Sequence, residues 1–115
     1  EDSMRWLMEV KRVDPGTWGT ADGEFKYPVG VAVTPDGGVY IVDQGNHRIQ
    51  KFTTDGEFVS KWGTEGEGDG QFLLPVRIAV APDGSVYVSD GTNKSWPCYV
   101  WCVVNHRIQK FSPGE

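Results

Sequence analysis

Asn46-His47-Arg48-Ile49-Gln50-Lys51-Phe52 returns, letter for letter, as Asn105-His106-Arg107-Ile108-Gln109-Lys110-Phe111. An identity of seven residues inside a chain of 115 marks a tandem repeat, and every other segment has to be read in register with it.

Working outward, Pro35-Asp36-Gly37 and Pro82-Asp83-Gly84 fall at matching places before the two copies. Pro presets φ, Asp closes the turn and Gly accepts positive φ, so each triplet predicts a hairpin. The hairpins join the short apolar runs Val29–Val33 and Val39–Val42 in the first repeat, and Val76–Val80 and Val86–Ser89 in the second. Asp43 and Asp90 end the second strand of each pair. In the first repeat Gln44-Gly45 leads into the Asn-His-Arg strand, Thr54-Asp55-Gly56 turns it back, and Glu57–Trp62 reads as a fourth strand. Four antiparallel strands in about 45 residues, with no helical segment, is the period of a propeller blade.

Upstream, Trp18-Gly19-Thr20 and Trp62-Gly63-Thr64 read as the openings of the two repeats, each leading through a Gly- and acid-rich loop to Phe25 or Phe72. On that alignment the second loop is three residues longer. The second repeat carries an insert, residues 91–104, fourteen residues where the first repeat has two. Its fourth strand is not found downstream. Arg5–Val13 alternates as a strand, with a short helix through Met4, Leu7 and Met8 as the competing reading; Asp14-Pro15-Gly16 stops either one. The predicted organisation is one unit, 1–115: an N-terminal strand in 1–17 that closes blade two, blade one over 18–62, and blade two over 63–115 with its inserted loop.

Composition agrees with an all-β fold. Hydrophobic content is 38%, 15 Gly and 7 Pro supply turns, and Val, Ile, Tyr, Phe and Trp carry the apolar load. A net charge of −5 argues against an overall basic surface for a nucleic-acid backbone. No run approaches the roughly 18 apolar residues of a membrane span, and no signal-peptide pattern opens the chain, so no membrane partner is expected and localisation stays open.

Pro28–Phe52, with its Pro-x-Gly-Val-Ala-Val-x-Pro-Asp-Gly-x-Val-Tyr-x-Val-Asp-x-Gly-Asn-His-Arg-Ile-Gln-Lys-Phe pattern, resembles an NHL repeat. The resemblance runs from Trp18 to Pro113 apart from the insert. It implies β-propeller blades, usually six to a ring, in a family that includes RNA-binding and protein-binding domains, a peptide-amidating lyase and bacterial sensor or scaffold domains. Two blades alone would expose apolar faces. Three two-blade chains make six, so a homotrimer is expected, with a four-blade dimer and larger rings as lesser alternatives. Met4–Val13 would supply the outer strand of blade two, from the same chain or from a neighbour, as a strand exchange. A piece of a longer propeller, or a designed repeat protein, fits the identical heptads as well.

In a propeller meander the Gln44-Gly45 turn, the insert and the Gly-rich loops emerge on one face, the natural ligand surface. The Pro-Asp-Gly turns lie on the other. The expected ligand-binding residues are Gln44, Asn93, Trp96, Tyr99 and Trp101, the aromatics being rigid anchors for a protein or peptide. An aromatic flap packed on its own blade or a neighbouring subunit is the equal alternative. A continuous strand would hold Cys98 and Cys102 about 13 Å apart, beyond disulfide reach, whereas a turn there makes a small ring feasible. His47 and His106 recur once per blade. Resemblance to the lyase would make them metal ligands on the axis, but a turn histidine satisfied by backbone is the simpler reading. Asp43 with Arg48 and Asp90 with Arg107 read as structural pairs. No nucleophile motif, P-loop or dinucleotide fingerprint occurs. The expectation is a non-enzymatic scaffold without cofactor or metal that binds protein or peptide. A metal-dependent lyase or hydrolase and an RNA binder are the rivals, the latter disfavoured by Glu65, Glu67 and Asp69.

Overall fold

Alternation of β-branched and aromatic residues with polar ones builds antiparallel strands wherever Asp-Gly turns bring neighbours together. The structure, a computed structural model, describes residues 17–91 and 107–112, and within them it holds two antiparallel sheets. The first comprises β1 (Pro28–Val33), β2 (Val39–Asp43), β3 (Arg48–Phe52) and β4 (Phe58–Trp62), in the order β1-β2-β3-β4. A two-stranded parallel ladder follows, β5 (Thr64–Glu65) with β6 (Gln71–Phe72). The second sheet comprises β7 (Pro75–Val80), β8 (Val86–Asp90) and β9 (Arg107–Phe111), ordered β7-β8-β9. The expected all-β meander is therefore present, and its antiparallel sheets are consistent with a segment of a β-propeller. The expected N-terminal strand in 5–13 and the insert side chains of Asn93, Trp96, Cys98, Tyr99, Trp101 and Cys102 lie outside the described residues. Among those described, no helix is long and apolar enough to cross a membrane.

The two sheets share one register. Pro28 faces Asp43 and Val33 faces Val39; Pro75 faces Asp90 and Val80 faces Val86, with one irregularity at the same place in each. The structure also corrects the alignment by tryptophans. Trp18 makes a parallel bridge to Phe25, and the matching pair in the second repeat is Glu65 with Phe72. Gly19 N donates to Phe25 O, and Gly66 N donates to Phe72 O. The repeat thus holds a constant shift of 47 residues from Thr17–Asp43 to Thr64–Asp90, and the second loop is not longer. The hydrogen-bonding backbone, not the Trp-Gly-Thr letters, sets the equivalence.

Each sheet has two faces. Tyr40, Val42, Ile49 and Trp62 of the first sheet pack against Ile78, Val80, Val86, Val88 and Phe111 of the second, with Phe72 fully buried between them. Gly30 sits where β1 passes β7. A Cβ there would lie 3.1 Å from Val76 O and 3.2 Å from a methyl of Val42, so even a methyl would require these neighbours to give way slightly. The other face of the first sheet carries Val39, Ile41 and Phe52, covered by Phe25 from its own loop and flanked by Phe58.

Candidate functional site

The turn after β2 organises the loop face. Gln44–Asn46 form a single 3-10 turn capped by His47, which adopts the left-handed conformation at φ 56°. Gly45 is required there, because a Cβ would lie 2.8 Å from both Cβ and O of Lys26. The turn reaches across to the second sheet. Gln44 Nε2 donates to Pro75 O at 3.2 Å, and His47 Nδ1 lies 2.9 Å from Leu73 O. A carbonyl can only accept, so Nδ1 carries the proton and Nε2 faces Glu65 Oε1 at 3.9 Å. The histidine is a turn residue satisfied by backbone, tying one repeat to the next.

Asp43, fully buried, is the hub beneath this face. Its carboxylate accepts from Lys26 N at 2.7 Å, Asn46 Nδ2 at 2.9 Å, Arg48 Nε at 2.8 Å and Gln50 Nε2 at 3.2 Å. Asn46 Nδ2 also reaches Gly19 O. Arg48 continues outward: Nη1 donates to Thr20 O, and Nη2 donates to Ala21 O and Glu24 O. Gln50 completes the clasp, accepting from Gly23 N and donating to Glu24 O. The identical letters of the second copy repeat the device. Arg107 donates to Glu67 O, Gly68 O and Gln71 O, while Gln109 accepts from Gly70 N and donates to Gln71 O. There Asp90 accepts from the backbone N–H of Leu73 and Leu74, and Arg107 Nε stands off at 3.8 Å. The repeated motif thus holds each Gly-rich loop in a fixed shape, as a rigid scaffold presenting a loop surface should. Among the described residues no three His, Cys, Asp or Glu side chains gather as a metal site.

One feature of this face has no counterpart in the sequence reading. Trp18 and Tyr27 are 62% and 64% exposed, meet edge to face at 5.4 Å, and Lys26 Nζ lies 5.9 Å from the Trp18 ring centroid. Tyr27 holds φ 60°, rare for a bulky residue. The second repeat has Glu65 and Leu74 at these positions, so comparing repeats in the structural register is the signal that finds it.

The opposite face holds the Pro-Asp-Gly turns, and between the sheets a cleft of about 380 Å³ is lined by Thr34, Asp36, Tyr40, Lys51 and Asp83 among others. The Thr34 hydroxyl, hydrogen-bonded to the Asp36 carboxylate, holds that carboxyl below its ordinary value, helped by Gly38 N–H and Lys51. Ser85, through its backbone N–H and then its hydroxyl, does the same for Asp83. A carboxyl with a depressed folded-state pKa stabilises the fold above its unfolded value, and that contribution is lost as pH falls through the folded value. Carbon-detected NMR titration should therefore give both groups midpoints below the ordinary aspartate range. Thr34→Val should raise the Asp36 midpoint and leave that of Asp83 unmoved.

Residues 25–52 match the family model for the NHL repeat. Parts of this chain are similar to the B-box type zinc finger protein ncl-1 of Caenorhabditis elegans, 45% identical over 43 residues, and to Protein lin-41 of the same organism, 44% identical over 46 residues. Protein brain tumor of Drosophila melanogaster is 40% identical over 48 residues. These alignments cover 37%, 40% and 42% of this chain and 5%, 4% and 5% of the relatives, so the chain spans a small part of the length of the proteins it matches. The NHL-repeat resemblance carried by Pro28–Phe52 is the one that the family model identifies.

Proposed function

We propose that the chain is a non-enzymatic β-propeller scaffold whose two-blade copies assemble into a ring, six blades from three chains. Its loop face, with Gln44 and the insert residues Asn93, Trp96, Tyr99 and Trp101, binds protein or peptide. The observation that carries this reading is the state of the outer flanks. Val31 and Val33 on β1 are 65% and 66% exposed, and Ile108 on β9 is 71% exposed, on strands whose neighbours are packed. Runs of apolar side chains left on sheet faces mark surfaces meant for a partner. Two further features support binding over chemistry or nucleic acid. The Asp43–Arg48 pair is buried and taken up by hydrogen bonds, which keeps it out of reach of a substrate. Glu65, Glu67 and Asp69 are exposed on the loop face, where they would repel phosphate.

Two measurements test this. Native mass spectrometry of the chain should show trimer; a monomer across the micromolar range would remove the ring. Panning a phage-displayed random peptide library should enrich binders on the wild type and none on a variant whose residues 91–104 are replaced by Gln-Gly. Equal enrichment on both would remove the insert from the site. Salt-sensitive capture of polyuridylate with no peptide enrichment would replace the reading with RNA binding.

A further inference from the structure

The sheets are copies of one another, so the joint between them displays how a third would sit. At that joint Ile49 is fully buried, with Tyr40 half-buried beside it and Lys51 Nζ 5.4 Å from the Tyr40 ring. The same three residues recur on the open flank of the second sheet. Ile108 is exposed there, Tyr87 is 38% exposed, and Lys110 Nζ sits 5.8 Å from the Tyr87 ring. The other side of the joint is formed by Ile78 and Val80, half-buried over Val86, Val88 and Phe72. Their counterparts Val31 and Val33 are exposed over Val39, Ile41 and Phe25 on the open flank of the first sheet. Each end of the molecule thus presents the half of a joint that the other end lacks.

Resting on the ring reading above, we infer that copies join head to tail: the Tyr87–Ile108–Lys110 flank of one packs on the Val31–Val33 flank of the next. The interface is heterologous, the kind that generates closed rings or open filaments. A like-to-like dimer would set Val31 against Val31, a contact with no precedent inside the chain. On the loop side, the seam that Gln44 and His47 make with Pro75 and Leu73 has its counterpart at Pro28 and Lys26. The exposed Trp18 and Tyr27 border that seam.

The copied joint departs from the original at three places: buried Val42 is replaced by Ser89, Gln44 by Gly91, and Gly30 by a long side chain. Gly30, which admits the Val76 carbonyl, is replaced by Arg77. The inner strands of two copies therefore meet less closely than β1 and β7 do. Arg77→Gly should lower the dissociation constant of the assembly by roughly tenfold.

The decisive experiment uses two exposed substitutions, Ile108→Glu and Val31→Glu, each checked for folding by circular dichroism. The wild type should assemble, each variant alone should stay monomeric, and an equimolar mixture should give a 1:1 heterodimer through the one intact pair of flanks and nothing larger. Dimerisation of either variant alone, with wild-type assembly preserved, would overturn the head-to-tail joint while leaving self-assembly standing. A monomeric wild type would overturn self-assembly itself and the joint with it.

Discussion

Asp43→Ala should lower the free energy of unfolding by about 3–5 kcal/mol, because it leaves a buried guanidinium without its counter-charge. The side chain of Arg48 is 8% exposed and bonds the carboxylate at 2.8 Å. The same substitution strips Lys26 N, Asn46 and Gln50 of an acceptor. For a domain whose whole stability is about 5–15 kcal/mol, such a loss leaves much of the chain unfolded on warming. Asp90→Ala is the internal control. Arg107 is 26% exposed and 3.8 Å away, so water can replace the lost partner, and the cost should fall to about 1–3 kcal/mol. Urea denaturation of both variants, with the slope unchanged, reads the contrast; equal losses would show that the ion pair is not what distinguishes the two hubs. Adding Arg48→Met to Asp43→Ala should restore only part of the deficit, since the carbonyls of Thr20, Ala21 and Glu24 lose their donor.

Phe72→Ala should cost about 3–5 kcal/mol, the range for truncating a fully buried aromatic where the surroundings cannot collapse. Phe72 is 0% exposed, lies 5.9 Å from Phe111 by ring centroids, and is enclosed by both sheets. Its counterpart Phe25 is 7% exposed and packs 5.6 Å from Phe52 on the open flank of the first sheet. Phe25→Ala should therefore cost less in the isolated chain. The gap between the two losses should close under conditions where the chain assembles, because assembly covers Phe25 as the first sheet covers Phe72. Denaturation midpoints at low and high protein concentration measure this; a concentration-independent gap would count against coverage of that flank.

Much of the scaffold could be read from letters. Strand positions, the Asp-Gly hairpins and the closeness of Asp43 to Arg48 all followed from the repeated heptad and its spacing, because each depends on side chains with strong local preferences. The start of the repeat could not be read so easily. Trp18 and Trp62 invite alignment, yet the backbone ladders pair Trp18 with Phe25 and Glu65 with Phe72. Hydrogen bonds between main-chain atoms leave little trace in side-chain identity. The arginine clasp leaves no trace in the letters for the same reason: its acceptors are carbonyls of residues as unlike as Thr20, Gly68 and Glu24. The turn alone puts Gln44 on the loop face, but its bond to Pro75 exists only with the second sheet in place. The exposed Trp18–Tyr27 pair emerged only from three-dimensional packing.

The clasp has an evolutionary corollary. Arg48 and Arg107 grip the peptide groups of the loops they hold, and every amino acid has a peptide group. The letters in those loops can drift or be exchanged by grafting while the grip persists. A chain built this way can acquire new recognition surfaces by rewriting its rim and leaving its fasteners alone.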